Sequence, residues 1–323
     1  MEKNRINYID YAKGFAILCV LLGHMEVNPV LKHSIYSFHM PLFFIVSGYF
    51  LKKEKLNGYT LKKNFQALMI PYFVIGGGMC VWQLFTDYDA FTRLETSSLA
   101  SLFLVGCRVG GEDVIRFVGA IWFLWVLFLS KIYTQHLLTW KYGGGIICVV
   151  AIFSMLFTKL AHIVPPLGLL QSLTASVFLL IGFSLKEKDV FNKHIPKVTY
   201  CFMLVLALFL MIRTNVALRV NSLAYNIFSC AISSYISFVI IKGFQMFGQI
   251  EFSGMMQIKR FISFCGKNSL IFLCIHTIET RYHWLSLDAD SIVIEFILRT
   301  CYILLIIKVL SYIPLTKKVF RIQ

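Results

Sequence analysis

Residues 5–24 read RINYIDYAKGFAILCVLLGH, a polar and basic lead into an unbroken apolar run from Gly14 to Gly23 that ends on His24. Lys3, Arg5 and Lys13 ahead of such a run resemble the opening of a signal peptide, but no small-residue cleavage site follows, and His24 and Glu26 come directly after it. The run therefore reads as a retained first membrane helix.

Runs of this kind recur to the end of the chain. Ten spans are centred near residues 20, 44, 76, 125, 152, 175, 206, 232, 271 and 302, and an α-helix needs about 20 residues to cross about 30 Å of hydrocarbon. Over all 323 residues, 58% are hydrophobic and 15% charged, and the mean hydropathy is +0.73. So few charges cannot build a water-facing surface. These figures predict an all-α polytopic membrane protein with about ten transmembrane helices. They also predict one membrane-embedded domain over residues 1–323, with no soluble domain appended. Soluble Rossmann and TIM-barrel folds and nucleic-acid-binding classes are excluded.

The net charge of +15 is a statement about topology, because Lys and Arg gather in cytoplasmic loops. On alternate sides of the ten spans they number 19 against 8, which predicts cytoplasmic termini. The longest outer segment, 87–117, contains LASLFLVG (99–106), too short to span and expected to form an interfacial or re-entrant helix. The nine cysteines include no C-x-x-C pair and no neighbouring His at ligand spacing, so neither a disulfide framework nor a metal site is expected. No repeat at fixed period is visible. The two halves also lack matching Gly- or Pro-broken spans, which speaks against a transporter built on inverted repeats.

Ionisable groups inside spans cost at least a few kcal/mol each and are functional candidates by default. The first span concentrates them. Lys13 and His24 are 11 residues apart, which at about 100° per residue returns to within about 20° of one face and places them about 16 Å apart along the axis. Asp10 sits one turn before Lys13 and can pair with it. The alternatives are a Lys13 that snorkels to headgroups and a His24 that packs at the interface. The second span opens FHMPLFFIVSGY (38–49), with Pro41 in a first turn where its missing N–H is harmless and Gly48 permitting close helix contact. Because the connection between the first two helices is short, His39 should approach the same outer half of the membrane as His24, and two imidazoles there suit proton handling. Trp122 is either an interfacial anchor or a site residue. His276 and Glu279, on one face beside Arg281, form either a structural hydrogen bond or part of a catalytic group. G-x-S-x-G, H-E-x-x-H and P-loop signatures are absent.

Five stretches in order, RINYIDYAKGFAILCVLLGH (5–24), SFHMPLFFIVSGYF (37–50), LMIPYFV (68–74), IWFLWVLFLSKI (121–132) and GKNSLIFLCIHTIE (266–279), resemble the acyltransferase 3 family of integral-membrane O-acyltransferases. The fucose 4-O-acetylase-like branch is the most similar. The resemblance runs through nearly the whole chain, and it implies transfer of an acetyl or short acyl group from cytoplasmic acetyl-CoA to a sugar hydroxyl. The acceptor it implies is an envelope glycan, an exopolysaccharide or a lipid-linked precursor, and the location a multi-pass protein of the cytoplasmic (inner) membrane. By position, His24 matches the family's essential first-helix His, Lys13 stands where an Arg is usual, and His39, Ser47 and Trp122 match recurrent positions. Lys for Arg keeps the cation but loses bidentate geometry.

The residues support this chemistry independently. An alcohol attacking a thioester needs a base, for which neutral His is suited, although His24 could instead carry the acyl group as a nucleophile. Lys13 would meet the donor, with Lys62 and Lys63 adding positive potential at the cytoplasmic mouth. Catalysis is thus expected at His24, His39 and Asp10, donor binding at Lys13, Ser47, Trp122, Lys62 and Lys63, with His276 and Glu279 as further candidates. Acetyl-CoA, a glycan acceptor and membrane lipids are the expected partners, without metal or nucleic acid, and the oligomeric state is open. The competing reading is a transporter or flippase of lipid-linked sugar, in which the same His, Asp and Lys would relay protons.

Overall fold

The computed structural model describes residues 7–110, 112–116, 118–213, 227–250, 254–282 and 291–323; Lys3, Arg5 and Arg219 of the charge count lie outside them. The chain begins with α1 (Asn7–Gly23), α2 (Pro29–Tyr36), α3 (His39–Tyr49) and α4 (Gly58–Asn64), which continues through one π-helical turn into α5 (Ile70–Thr86). The outer segment follows as α6 (Tyr88–Thr92), α7 (Ser98–Leu104), β1 (Cys107–Val109) and β2 (Glu112–Ile115). After it come α8 (Trp122–Leu137), α9 (Gly143–Ala161), β3 (Ile163–Val164), α10 (Leu169–Glu187), α11 (Lys197–Arg213) and α12 (Ile227–Gly248). The last four helices are α13 (Met255–Lys267), α14 (Ser269–Tyr282), α15 (Ile292–Leu310) and α16 (Pro314–Phe320).

Each of the ten expected centres falls inside a helix. By length and composition, four helical segments among the described residues can cross a membrane: Gly58–Thr86, α9, α10 and α12. The α13–α14 pair, bent by 73° at its break, makes a fifth if counted as one broken span. The outward faces of α9 and α11 are apolar, with Phe153, Leu160, Phe202, Val205 and Phe209 exposed. An apolar surface of this extent is what lipid, not water, covers.

Two expectations for the loops need correction. The expected short helix is present as α7, but beside it the strands form a small antiparallel sheet of order β2-β1-β3 that the apolar pattern does not foretell. Arg108 pairs with Asp113 across β1 and β2, Nε to Oδ1 at 2.7 Å. The Gly110-Gly111 dipeptide between those strands is the hairpin signal that was passed over. Two of the 19 basic residues that the charge count assigns to inner loops, Lys131 and Lys242, lie instead within α8 and α12. The Lys242 ammonium is buried and donates to the carbonyls of Phe191 and Lys193 at 2.6 and 2.8 Å, and to Gln245 Oε1. It ties α12 to the connection after α10, so its desolvation is offset by local acceptors.

Helix α1 is buried on nearly every side, packed against α13, α12, α3 and α14, which is why its sequence is apolar all round. Two backbone crossings fix it and its neighbour. A Cβ at Gly14 would lie 2.0 Å from the Ile262 carbonyl oxygen, and one at Gly266 1.8 Å from that of Asp10. Likewise a Cβ at Gly48 would lie 2.1 Å from the Leu179 oxygen, and one at Gly182 1.9 Å from that of Ile45. Where helices meet backbone to backbone in a membrane, only glycine fits. Several Ser of α10 and α12 bond back to their own helices, as Ser176 does to Ser172 (2.9 Å) and Ser237 to Ser233 (2.7 Å), so these buried hydroxyls are satisfied without disturbing the packing.

Gly14→Val should therefore separate α1 from α13 and lower the melting temperature of detergent-solubilised protein by several degrees. Gly78→Ala, where an added Cβ meets nothing within 4 Å, should leave it unchanged or raise it, since Ala exceeds Gly in helix propensity by up to about 1 kcal/mol. Equal melting temperatures for Gly14→Val and wild type would refute the close crossing.

Candidate active site

A cavity of about 700 Å3 runs between α1, α3, α8 and α14, within the range of roughly 300–1,000 Å3 typical of small-molecule sites. Three contacts orient it. Gly14 of α1 meets Ile262 and Gly266 of α13. Ten residues later, the His24 ring centre lies 4.9 Å from that of His276 on α14. A Cβ at Gly119, just before α8, would sit 2.7 Å from the Thr277 side chain. Helix α1 thus runs alongside α13–α14, giving the cavity a Lys13 end and a His24 end.

His24 and His39 both line the cavity and both pack against Tyr36 of α2, with ring centres 6.2 and 5.0 Å away. The short connection expected to bring the two imidazoles together does so, through the small helix α2. In each, Nδ1 lies 2.8 Å from a carbonyl one turn back, Val20 for His24 and Ile35 for His39. A carbonyl only accepts, so Nδ1 carries the hydrogen and Nε2 is left with its lone pair. The backbone has selected the tautomer that a general base or nucleophile needs.

His276 is almost wholly buried against His24, and among the described residues neither of its ring nitrogens has a hydrogen-bond partner. Its Nδ1 is 3.8 Å from Glu279 Oε2, one turn on. Glu279 itself pairs with Arg299 Nη1 of α15, whose Nε holds Glu295 Oε1 at 2.7 Å. The expected His276–Glu279 neighbourhood is present, then, but the strong partner of Glu279 is Arg299 rather than Arg281. Helical spacing could not reveal a partner on another helix. Arg299 lies within the last apolar stretch of the sequence, with nothing local to mark its partner.

The other expected residues are distributed as follows. Lys13 lines the cavity and its Nζ is 3.6 Å from Asp10 Oδ1, the pairing that the three-residue spacing suggested. Asp10 is held there, away from both histidines. Ser47 and Trp122 line the cavity, and Trp122 is 4% exposed, too buried for an interfacial anchor. Lys62 and Lys63 lie exposed on α4 outside the lining. Missed were Lys131 and Arg321, which join Lys13 on the wall, and Arg116 and Thr280, which join the His24 end. No group of three His, Cys, Asp or Glu among the described residues is arranged to hold a metal ion.

Residues 6–315 match the family described as an acyltransferase domain. The chain belongs to the acyltransferase 3 family, a family of O-acyltransferase enzymes. It is similar to the nodulation protein NolL of Sinorhizobium fredii, 31% identical over half of this chain and 45% of the relative. A second nodulation protein NolL, from Mesorhizobium japonicum, is 29% identical over 43% of this chain and 37% of that protein. The chain therefore spans less than half the length of these curated relatives. No solved structure matches it.

Arg299→Met should deprive the buried Glu279 carboxylate of its guanidinium, a loss of about 3–5 kcal/mol when one member of a buried pair is removed. Adding Glu279→Gln to the same chain should restore most of it, because the uncompensated charge is then gone. Denaturant unfolding of the solubilised protein measures both. A double variant no more stable than Arg299→Met would show that the charge pair is not what stabilises this corner.

Proposed function

We propose that the protein moves an acetyl or other short acyl group from acetyl-CoA, entering from the cytoplasm, to a hydroxyl of a sugar in an envelope glycan, exopolysaccharide or lipid-linked precursor. Two histidines, each with Nδ1 committed to a backbone carbonyl and each on the wall of one cavity, carry this reading. The Nε2 of His24 takes the proton of the acceptor hydroxyl while the oxygen attacks the thioester carbonyl; the carbonyl re-forms, the C–S bond breaks, and the thiol leaves with the proton. His39 shares the proton or aligns the hydroxyl. His276, packed on His24 and backed by Glu279 and Arg299, holds the first imidazole in place.

The donor's acyl end reaches His24 from the Lys13 end, past Ser47 and Trp122. Asp10 keeps Lys13 charged in a poorly solvated place, and Lys62 and Lys63 raise the local concentration of an anionic donor outside. The acceptor arrives at the other end, where Arg116 and Thr280 offer hydrogen bonds. This requires a multi-pass protein of the cytoplasmic membrane with both termini inside, in keeping with the excess of Lys and Arg on one side of the spans, which survives the removal of Lys131 and Lys242 from the count.

His24→Ala should reduce acyl transfer to less than about a tenth of wild type while expression and insertion stay normal, since general-base catalysis typically contributes about 100-fold or more. His39→Ala should give a smaller loss. The assay is radiolabelled acetyl transfer from acetyl-CoA to envelope glycan by purified protein in nanodiscs. Full activity of His24→Ala would remove the imidazole from the chemistry, and translocation of acceptor without acylation would replace the enzyme with a flippase. The topology is checked separately: reporters fused at Lys318 and near Glu95 should report opposite sides of the membrane, and the same side for both would overturn the ten-span arrangement.

A further inference from the structure

The Lys13 end of the cavity is walled by three cations from distant parts of the chain: Lys13 on α1, Lys131 on α8 and Arg321 just after α16. Lys13 has Asp10 beside it. Neither Lys131 nor Arg321 has an ion-pair partner among the described residues. Like charges gathered on a half-buried wall oppose folding unless something anionic joins them.

The placement of Arg321 is built rather than accidental. Asn268, at the bend between α13 and α14, accepts from the Gln323 N–H at 2.9 Å and donates to the Gln323 oxygen at 3.3 Å. Phe320 and Ile322, on either side of Arg321, are buried. Arg321 itself turns the chain with φ at +55°, a left-handed conformation uncommon for a residue with a side chain. Backbone fixed before and after it places Arg321, itself exposed, on the cavity wall.

We propose that Lys131 and Arg321 form an anion subsite for the phosphates at the nucleotide end of the acyl donor. The subsite rests on the reading of this cavity as an acyl-CoA site. Lys13 and His24 are 11 residues apart on α1, about 16 Å of helix. Phosphates gripped by Lys131 and Arg321 at the Lys13 end therefore leave the pantetheine arm to run along α1 with its thioester near His24. The guanidinium can engage a phosphate through two N–H groups, and the ammonium adds a point charge. A phospholipid headgroup offers the same phosphate chemistry, so the test must separate the two sources.

The test compares acetyl-CoA with S-acetylpantetheine, which has the same thioester arm without the nucleotide, in wild type and in Lys131→Gln/Arg321→Gln reconstituted in nanodiscs. Wild type should prefer acetyl-CoA, and the double variant should lose at least about tenfold in kcat/KM for acetyl-CoA, the scale of one charge-assisted contact, with S-acetylpantetheine unchanged. Lys131→Arg with Arg321→Lys should retain the preference. Equal losses with both donors, or an unaltered preference, would overturn the subsite. So would a variant whose donor preference is intact but whose activity no longer depends on anionic lipid, since the phosphate bound is then a headgroup. If wild type transfers from neither thioester, the enzymatic reading fails, and calorimetric binding of adenosine 3′,5′-bisphosphate decides the subsite alone: binding to wild type that is lost in the double variant supports it, and no binding to wild type overturns it.

Discussion

The close crossing of α1 and α13 at Gly14 and Gly266 is the constraint on which the rest of the arrangement depends. In lipid, hydrophobic burial does not drive helices together, so association rests on van der Waals contact and a few polar interactions. With no Cβ at either glycine, α1 and α13 touch backbone to backbone, and the register of one against the other is set to within a residue. That register carries consequences along the whole helix. Once Gly14 lies against Ile262, the same straight helix brings His24 against His276, and Lys13 falls beside the bend where Asn268 holds the last residues of the chain. The second glycine crossing, Gly48 with Gly182, does the same for α3 against α10 and so presents His39 and Ser47 to the same space. A cavity between such tightly seated helices keeps its shape through their packing.

Inside that frame, most buried polar groups have a local solution, and the solutions differ in what they leave free. Lys242 is surrounded by acceptors and is structural. Glu279 is neutralised by Arg299 from a neighbouring helix. The hydroxyls of Ser176, Ser234 and Ser237 bond to the backbones of their own helices. His24 and His39 are different, because the backbone takes one nitrogen and leaves the other facing a space large enough for substrates. The distinction between structural and chemical polar residues in this membrane protein lies in what remains after the protein's own hydrogen bonds are made.

That distinction also explains what could be read from the sequence. The helices were legible because lipid demands long apolar runs, and the pairing of Asp10 with Lys13 was legible because helical spacing alone decides it. Gly48 was legible as a close contact for the same reason, since a glycine in an aromatic run has few other uses. Arg299 was not, because its meaning depends on Glu279 twenty residues earlier on another helix. Lys131 was misplaced in a loop because hydropathy averages over a window and a single Lys near the end of a span resembles its boundary. Arg321 looked like one of several basic residues at a cytoplasmic terminus, and only the Asn268 clamp gives it a place on the cavity wall. The β-hairpin was missed because short strands outside the membrane contribute nothing to the apolar pattern on which the reading rested.

The cavity's gradient of polarity favours group transfer over passage. Its Lys13 end is cationic, its middle is walled by Ile17, Val20, Phe43, Phe123 and Leu127, and its far end carries the histidines with Arg116 and Thr280. A conduit for a sugar would need hydroxyl partners along its whole length, because unsatisfied polar groups in an apolar passage cost several kcal/mol each. An apolar middle instead suits a slender acyl-bearing arm, and it excludes water from the thioester, which would otherwise be open to hydrolysis. The sugar then needs to enter only as far as the two imidazoles. Under the proposed acetyl-CoA reading the two substrates would meet end to end rather than side by side, and the separation of Lys13 from His24 would be the length over which the donor is stretched.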